Sequence, residues 1–440
     1  MLAIVAGWGL LALVTAPLFD VVYGNSGRGA LILAGYVIAF ILGSWTVSMA
    51  GRRDERRSPR PSPTTMRPPN LQFAYVCAMF MALLGISLRL YDWAVLRNTS
   101  INLADVARRK IDVGITANDS PLGLLAAPLT GFCFLPVMLV LLNPKLVGPR
   151  ARILAFAVAL FPPFESVFFQ GGSSGVALAL ILLLSVLATR PVPAKPAVQR
   201  KRRHLTVPQQ LGITAFGLGG LILGGTIFTA RVNLMAGSVS QYLVYAAGSN
   251  ANIVIPSQLA LKLVDIPVLG NIAFGIYWIS LYLTSGVYNL MFVLDRGVPY
   301  HTGGATQAQL FFRAFDILTG NGSRLPVSDL NPLAGLYQTM FGDVYYDFGV
   351  VGGLVQALAM GIIAALVHRA RLRGYFAAQI VDPILKTFLF MGVFASSLSS
   401  FGLFVLLAAL ILIGMTALAP RSAAGSAYEP RRQAVLKPRT

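Results

Sequence analysis

Apolar blocks about 20 residues long alternate with short polar segments along the whole chain, and that length carries a helix across a ~30 Å hydrocarbon layer. The blocks fall at roughly 2–19, 29–49, 71–89, 119–142, 152–168, 174–190, 210–230, 345–367, 384–398 and 401–419. The pattern predicts an all-α polytopic integral membrane protein with about ten transmembrane helices. The first block has no Lys or Arg ahead of it and no convincing small-residue cleavage site, so it reads as a helix rather than a signal peptide. One further stretch, between Asp265 and Asp295, is uncharged and long enough to span. It carries Gly270, Asn271, Gly275, Ser280, Thr284, Ser285, Gly286 and Asn289, which is polar for lipid exposure, and it reads as an interfacial or re-entrant element.

Charge orients the blocks. Most of the 35 Lys and Arg lie between alternate blocks and in the tail: Arg52 to Arg67, Lys145 to Arg152, Arg190 to Arg203, Arg369 to Lys386 and Arg421 to Arg439. Outside those segments basic and acidic residues nearly cancel. This is the positive-inside signature, and it places both termini in the cytoplasm. It also accounts for the net charge of +19 without a nucleic-acid partner. The domain division that follows is a membrane bundle over 1–230 with an outer loop at about 90–118. Next come a large outer loop over 231–344, further membrane helices over 345–420 and a basic tail over 421–440. The long loop holds amphipathic stretches such as Leu310 to Leu318 and is expected to fold back over the bundle.

Composition narrows the function classes. Hydrophobic residues make up 56% and charged residues 12%, against about 25% charged in soluble domains. A soluble enzyme, a nucleic-acid binder and a disordered scaffold are excluded on that ground. Cys77 and Cys133 fall inside apolar blocks and read as reduced packing residues, with neither a disulfide framework nor a metal site suggested.

Few motifs carry chemistry. Gly217-Leu218-Gly219-Gly220 lacks the third glycine and the strand of a dinucleotide fold, and Gly220 with Gly224 reads as a small-residue packing face. Asp343 and Asp347 stand four apart at the outer entrance of the eighth helix, on one face. A carboxylate in such a pair suits the removal of a proton from an attacking hydroxyl. The other reading is an acid capping a helix N-terminus. His301, in Pro299-Tyr300-His301-Thr302-Gly303-Gly304, is either a base near neutral pH or a turn residue without a role. Glu165, after Pro162 and Pro163, is either functional or solvated near the outer surface. Among the outer arginines, Arg89, Arg231, Arg296, Arg313 and Arg324 are candidates for a diphosphate, whose oxygens a guanidinium fork matches. The alternative is that they snorkel to lipid phosphates or pair with neighbouring acids.

Thr339-Met340-Phe341 followed by Tyr345-Tyr346-Asp347-Phe348-Gly349 and Gly352 resembles the signature of the Wzy-type oligosaccharide repeat-unit polymerases, the O-antigen and exopolysaccharide polymerases. Tyr282-Leu283-Thr284-Ser285-Gly286-Val287-Tyr288, with Gly303-Gly304 downstream, resembles the region before that signature, and Arg324 with Gly335 fits the arginine–glycine spacing of some members. The turn Gln170 to Gly175 departs from the family in lacking an arginine. The resemblance implies a glycosyltransferase-C-like bundle in the bacterial inner membrane with its active site on the periplasmic face. It implies undecaprenyl-diphosphate-linked oligosaccharides as substrates, no metal or other cofactor, and a chain-length regulator and flippase as partners beside membrane lipid. It assigns Asp347 or Asp343 as base, Arg231, Arg313 and Arg324 to the diphosphate, and Tyr337, Tyr345 and Tyr346 to sugar faces. An O-antigen-ligase-like transferase, which His301 keeps open, and a lipid-linked oligosaccharide flippase or transporter are the alternatives.

Overall fold

The computed structural model describes residues 13–14, 16–21, 27–57, 70–97, 120–168, 174–189, 229, 232–233, 237–248, 254–266, 270–308, 311–312, 315, 319, 339–392 and 401–418. Its first half comprises α1 (Arg28–Arg57), α2 (Leu71–Tyr91), α3 (Pro121–Thr130), α4 (Phe134–Leu142), α5 (Pro149–Ala159), α6 (Phe161–Phe168) and α7 (Ser174–Thr189). After these come α8 (Val239–Gly248), α9 (Gln258–Val264), α10 (Gly270–Arg296), α11 (Met340–Leu372), α12 (Phe376–Met391) and α13 (Phe401–Leu418). The chain is predominantly helical. Among the described residues four segments are long and apolar enough to cross a membrane: Arg28–Ala50, Leu71–Leu96, Pro121–Leu142 and Met340–Leu372.

Several expected spans change form. The described end of the 2–19 block is a tight turn at Ala16–Leu18 followed by strand β1 (Phe19–Val21), which pairs antiparallel with β2 (Val254–Pro256). Pro17 offers no backbone donor to a helix there, and the exposed main chain finds partners in the sequence-distant β2 instead. The 152–168 block is two helices meeting at Leu160, just before Pro162 and Pro163. The 119–142 block tightens for one turn at Gly131–Cys133, after Pro128. The 266–294 element is no re-entrant hairpin: α10 is a single uninterrupted helix of 27 residues. Its polar residues Ser280, Thr284, Ser285 and Asn289 are buried against protein, which is why they need not face lipid or water. The 384–398 helix begins earlier, at Phe376, and the 210–230 block lies outside the described residues except for Thr229.

Two packed cores result. One joins α2 to α7 with α12 and α13 around Phe134, Leu139, Leu182, Ile384 and Leu412. The other joins α1, α10 and α11 around Tyr36, Phe40, Phe274, Tyr277 and Phe341. Helix α12 packs on both α7 and α11 and connects them.

Helices α1 and α11 run parallel and close. A Cβ on Gly43 would stand 2.2 Å from the Leu358 carbonyl oxygen, and one on Gly361 would stand 2.1 Å from that of Phe40. Ser44 Oγ donates to the Gly361 carbonyl at 3.2 Å. Small residues let two apolar helices touch backbone to backbone, where lipid offers no hydrophobic driving force for association. Gly361→Leu is therefore expected to push α1 off α11 and cost about 1–3 kcal/mol or more by overpacking. A thermal midpoint for the purified variant equal to wild type would contradict this close approach.

Helix ends sort by charge. At one end, Gly29 N donates to Asp295 Oδ1 at 2.8 Å, and Met340 N donates to the Gly392 carbonyl at 2.8 Å. The same end holds the close of α2 against α6, and the entry to α7, where Gly175 N donates to Ser166 Oγ at 3.3 Å. The opposite end holds Arg150, Arg152, Arg369, Arg371 and Arg373. There Tyr75 Oη donates to the Ala151 carbonyl at 2.7 Å and Arg371 Nη1 to the Thr189 carbonyl at 3.0 Å.

Candidate functional site

At the acid-bearing end, α11 breaks. Thr339 caps its start, with Oγ1 accepting from Gly342 N at 3.1 Å, and the first turns run to Phe348. Gly349 then takes φ 68°, ψ −167°, a region that only glycine occupies without strain. A break leaves carbonyl groups without their helical donors, and inside protein those groups must find others. Here the segment after α10 supplies them. Thr302 N donates to the Tyr346 carbonyl at 3.0 Å, and Gly303 N to that of Asp347 at 3.0 Å.

Asp347 completes the clasp from its side chain. Oδ1 accepts from Thr306 N at 2.8 Å and from the Thr302 hydroxyl, while Oδ2 accepts from Gln307 N at 3.0 Å. Gly303 (φ 61°) and Gly304 (φ 106°) make two successive left-handed steps, and these wrap residues 302–307 around the carboxylate. Further along α11, Gln307 and Gln356 exchange amide hydrogen bonds at 2.7 and 3.2 Å, pinning the segment to the helix.

His301 sits above the break. Its Nδ1 lies 3.3 Å from the Tyr346 carbonyl oxygen, and its ring meets Tyr345 edge-on at 5.8 Å. A Cβ on Gly349 would stand 2.8 Å from Nε2. Glycine is thus required twice at this position, once for its backbone and once for the space.

The structure therefore gathers Asp343, Asp347, His301, Tyr345 and Tyr346 at one place, and revises several of their expected roles. Asp347 is 1% exposed with both oxygens engaged, so it is not a free carboxylate. Asp343 is buried in the first turn of the helix. Tyr345 and Tyr346 are packed in the core and offer no face to a sugar. The rings exposed here are Phe348 and Tyr300. Arg296 is exposed at the end of α10, its guanidinium over the Phe292 ring at 4.5 Å. It stands one residue before Gly297 (φ 78°), which faces the Tyr345 hydroxyl. Arg231, Arg313, Arg324 and Tyr337 lie outside the described residues.

Arg89 belongs to a separate cluster. Its Nε donates to Glu165 Oε1, and its Nη1 donates to the Gly123 carbonyl at 3.0 Å. Trp93 Nε1 donates to the same Glu165 oxygen at 3.2 Å. Asp92 pairs with Arg97 Nε at 3.1 Å and accepts from the Ser120 hydroxyl, while both guanidinium groups flank the Trp93 ring. A wide π-type turn at Asp92–Leu96 aims these groups inward. Glu165 is 3% exposed, so it is an ion-pair partner rather than a solvated surface acid. The two cations meet two anions, and the cluster presents no surplus positive charge for a diphosphate.

Sequence reasoning overlooked Thr302, Thr306, Gln307 and Gln356. The only signal for them was Gly303-Gly304, which marks a turn without saying what it encloses. Among the described residues no three His, Cys, Asp or Glu side chains are grouped to hold a metal ion. No protein-family model, curated protein or solved structure matches the chain. The functional reading accordingly rests on the residues themselves.

Proposed function

We propose that this chain is a membrane-embedded glycosyltransferase that joins undecaprenyl-diphosphate-linked oligosaccharide repeat units into a longer polysaccharide on the outer face of the bacterial inner membrane. The observation that carries the reading is the interlock between Pro299–Gln307 and Tyr345–Gly349 at the acid-bearing end of α11. In it, the motif residues that resemble the polymerase signature build one rigid feature. Charge supports the sidedness, because the basic ends of α1 and α11 lie together at the opposite end, where the positive-inside bias puts the cytoplasm.

The reaction fits such a place. The hydroxyl of one lipid-linked unit attacks the anomeric carbon of another, and the lipid diphosphate departs with the bonding electrons. A base must receive the hydroxyl proton, and fixed positive charge must meet the developing diphosphate. Arg296 at the end of α10 and Arg28 at the start of α1, within electrostatic reach of Tyr345, are the described guanidinium groups at this end, and Arg231, Arg313 and Arg324 are the further candidates. Apolar helix faces such as Val351 and Val355, both exposed, provide a flank for the lipid chains.

Purified protein given a lipid-diphosphate repeat unit in the presence of a chelator is expected to produce a ladder of joined units. Recovery of single units alone after prolonged incubation would sink the proposal.

A further inference from the structure

We infer that His301, and not Asp347, receives the proton of the attacking sugar hydroxyl, and that Asp347 is a positioning residue holding the segment that carries His301. The inference rests on the glycan-joining reading and names the group that acts within it.

Access separates the two candidates. Asp347 is buried, and three donors from residues 302–307 converge on its carboxylate. An incoming hydroxyl would have to displace at least one of them to reach the carboxylate. His301 is exposed.

Hydrogen bonding then fixes which nitrogen of His301 acts. A carbonyl oxygen carries no proton, so the contact between Nδ1 and the Tyr346 carbonyl at 3.3 Å requires the hydrogen on Nδ1. In the neutral ring Nε2 is then a bare acceptor, and it makes no hydrogen bond among the described residues. The Tyr345 ring edge sets the imidazole plane, and Gly349 leaves the space Nε2 occupies. The Tyr346 carbonyl is itself released for this contact by the helix break. The charged and titratable groups on the elements around His301 are Asp347, Asp343, Tyr345 and Tyr346 on α11, Tyr300 beside it in the chain, Asp295 and Arg296 at the end of α10, and Arg28 at the start of α1, within electrostatic reach of Tyr345.

The step balances without a further reactant. The acceptor oxygen forms a bond to the anomeric carbon while the bond from that carbon to the diphosphate oxygen breaks. The diphosphate takes the electron pair, and the hydroxyl proton passes to Nε2, making an imidazolium that later returns it to water.

Turnover of a lipid-linked repeat unit by the purified full chain tests the division of labour. His301→Gln is expected to lower turnover by about 10²–10⁴-fold, the usual worth of a general base, with little change in KM. Imidazole in the buffer is expected to restore part of the rate to His301→Ala, rising with the free-base fraction. Asp347→Asn is expected to lose about tenfold, because its Oδ1 still accepts from Thr302 and Thr306 and only the bond from Gln307 N is forfeited. Because His301 is exposed, its variants should melt at the wild-type temperature, which separates a chemical defect from unfolding. If wild type joins units and His301→Gln keeps pace, or if imidazole gives His301→Ala nothing, His301 is not the base. If wild type joins no units, the reaction falls and this role falls with it.

Discussion

Gly349→Ala is expected to abolish polymer formation and to lower the melting temperature of the purified protein. Two separate costs meet at this residue. The backbone at φ 68°, ψ −167° excludes side chains at about 1–3 kcal/mol or more. The new methyl would also lie 2.8 Å from His301 Nε2 and 3.1 Å from Cε1, so the imidazole must move. Displacing a reacting group by about 1 Å costs on the order of 10²-fold in rate, even when the fold survives. The two costs are separable by experiment. In a Gly349→Ala, His301→Ala double variant the steric clash is gone and only the backbone strain persists, so stability should recover in part while activity does not. Gly275→Ala is the control: it is a helical glycine in α10 with open space at its Cβ position, and the change should stabilise by up to about 1 kcal/mol. A Gly349→Ala protein that melts and polymerises like wild type would remove the break from the mechanism.

That break also shows where sequence reading stops. Apolar length and loop charge indicate the helical membrane class, because both are local and additive along the chain. The spacing of Asp343 and Asp347 shows that they share a face, which follows from the helical repeat alone. Whether either carboxylate is free depends on what packs against that face. For Asp347 the answer comes from Thr302, Thr306 and Gln307, 40 or more residues earlier. No periodicity encodes such a pairing. Gly349 stands out in sequence only as part of a motif, and the backbone alone marks it as the point where the helix interrupts itself.

The tyrosines and α10 teach a related lesson. Tyr345 and Tyr346 look like ligand platforms because aromatic pairs beside an acid often are. Yet Tyr346 faces the core shared with Tyr36 and Phe341, and it is its main-chain carbonyl that meets His301. Helix α10 looks too polar to be regular, since its Ser, Thr and Asn are counted as though they faced solvent. Buried within the protein they need not: Thr284 Oγ1 donates to the Ser280 carbonyl of its own helix at 2.8 Å. Hydropathy averages over a helix, whereas burial is decided face by face.

Glu165→Ala is expected to destabilise the protein by about 3–5 kcal/mol, because it removes one partner of a buried ion pair and leaves the other charged. Side-chain exposure is 16% for Arg89 and 4% for Glu165, so water cannot readily replace the lost carboxylate. Trp93 Nε1 would lose this acceptor as well, since it donates to the same oxygen. Removing both charges together should cost much less. Arg89→Met with Glu165→Leu is expected to recover most of the loss, as desolvation of the pair offsets much of its attraction. The same double variant tests the diphosphate assignment given to Arg89 from sequence. If Arg89 only ties α2 to α6 and α3, the double variant keeps the wild-type KM for the lipid-linked substrate. A large rise in KM with stability restored would return Arg89 to the binding site. Single variants that each melt within about 1 °C of wild type would mean that the cluster does not hold these helix ends together.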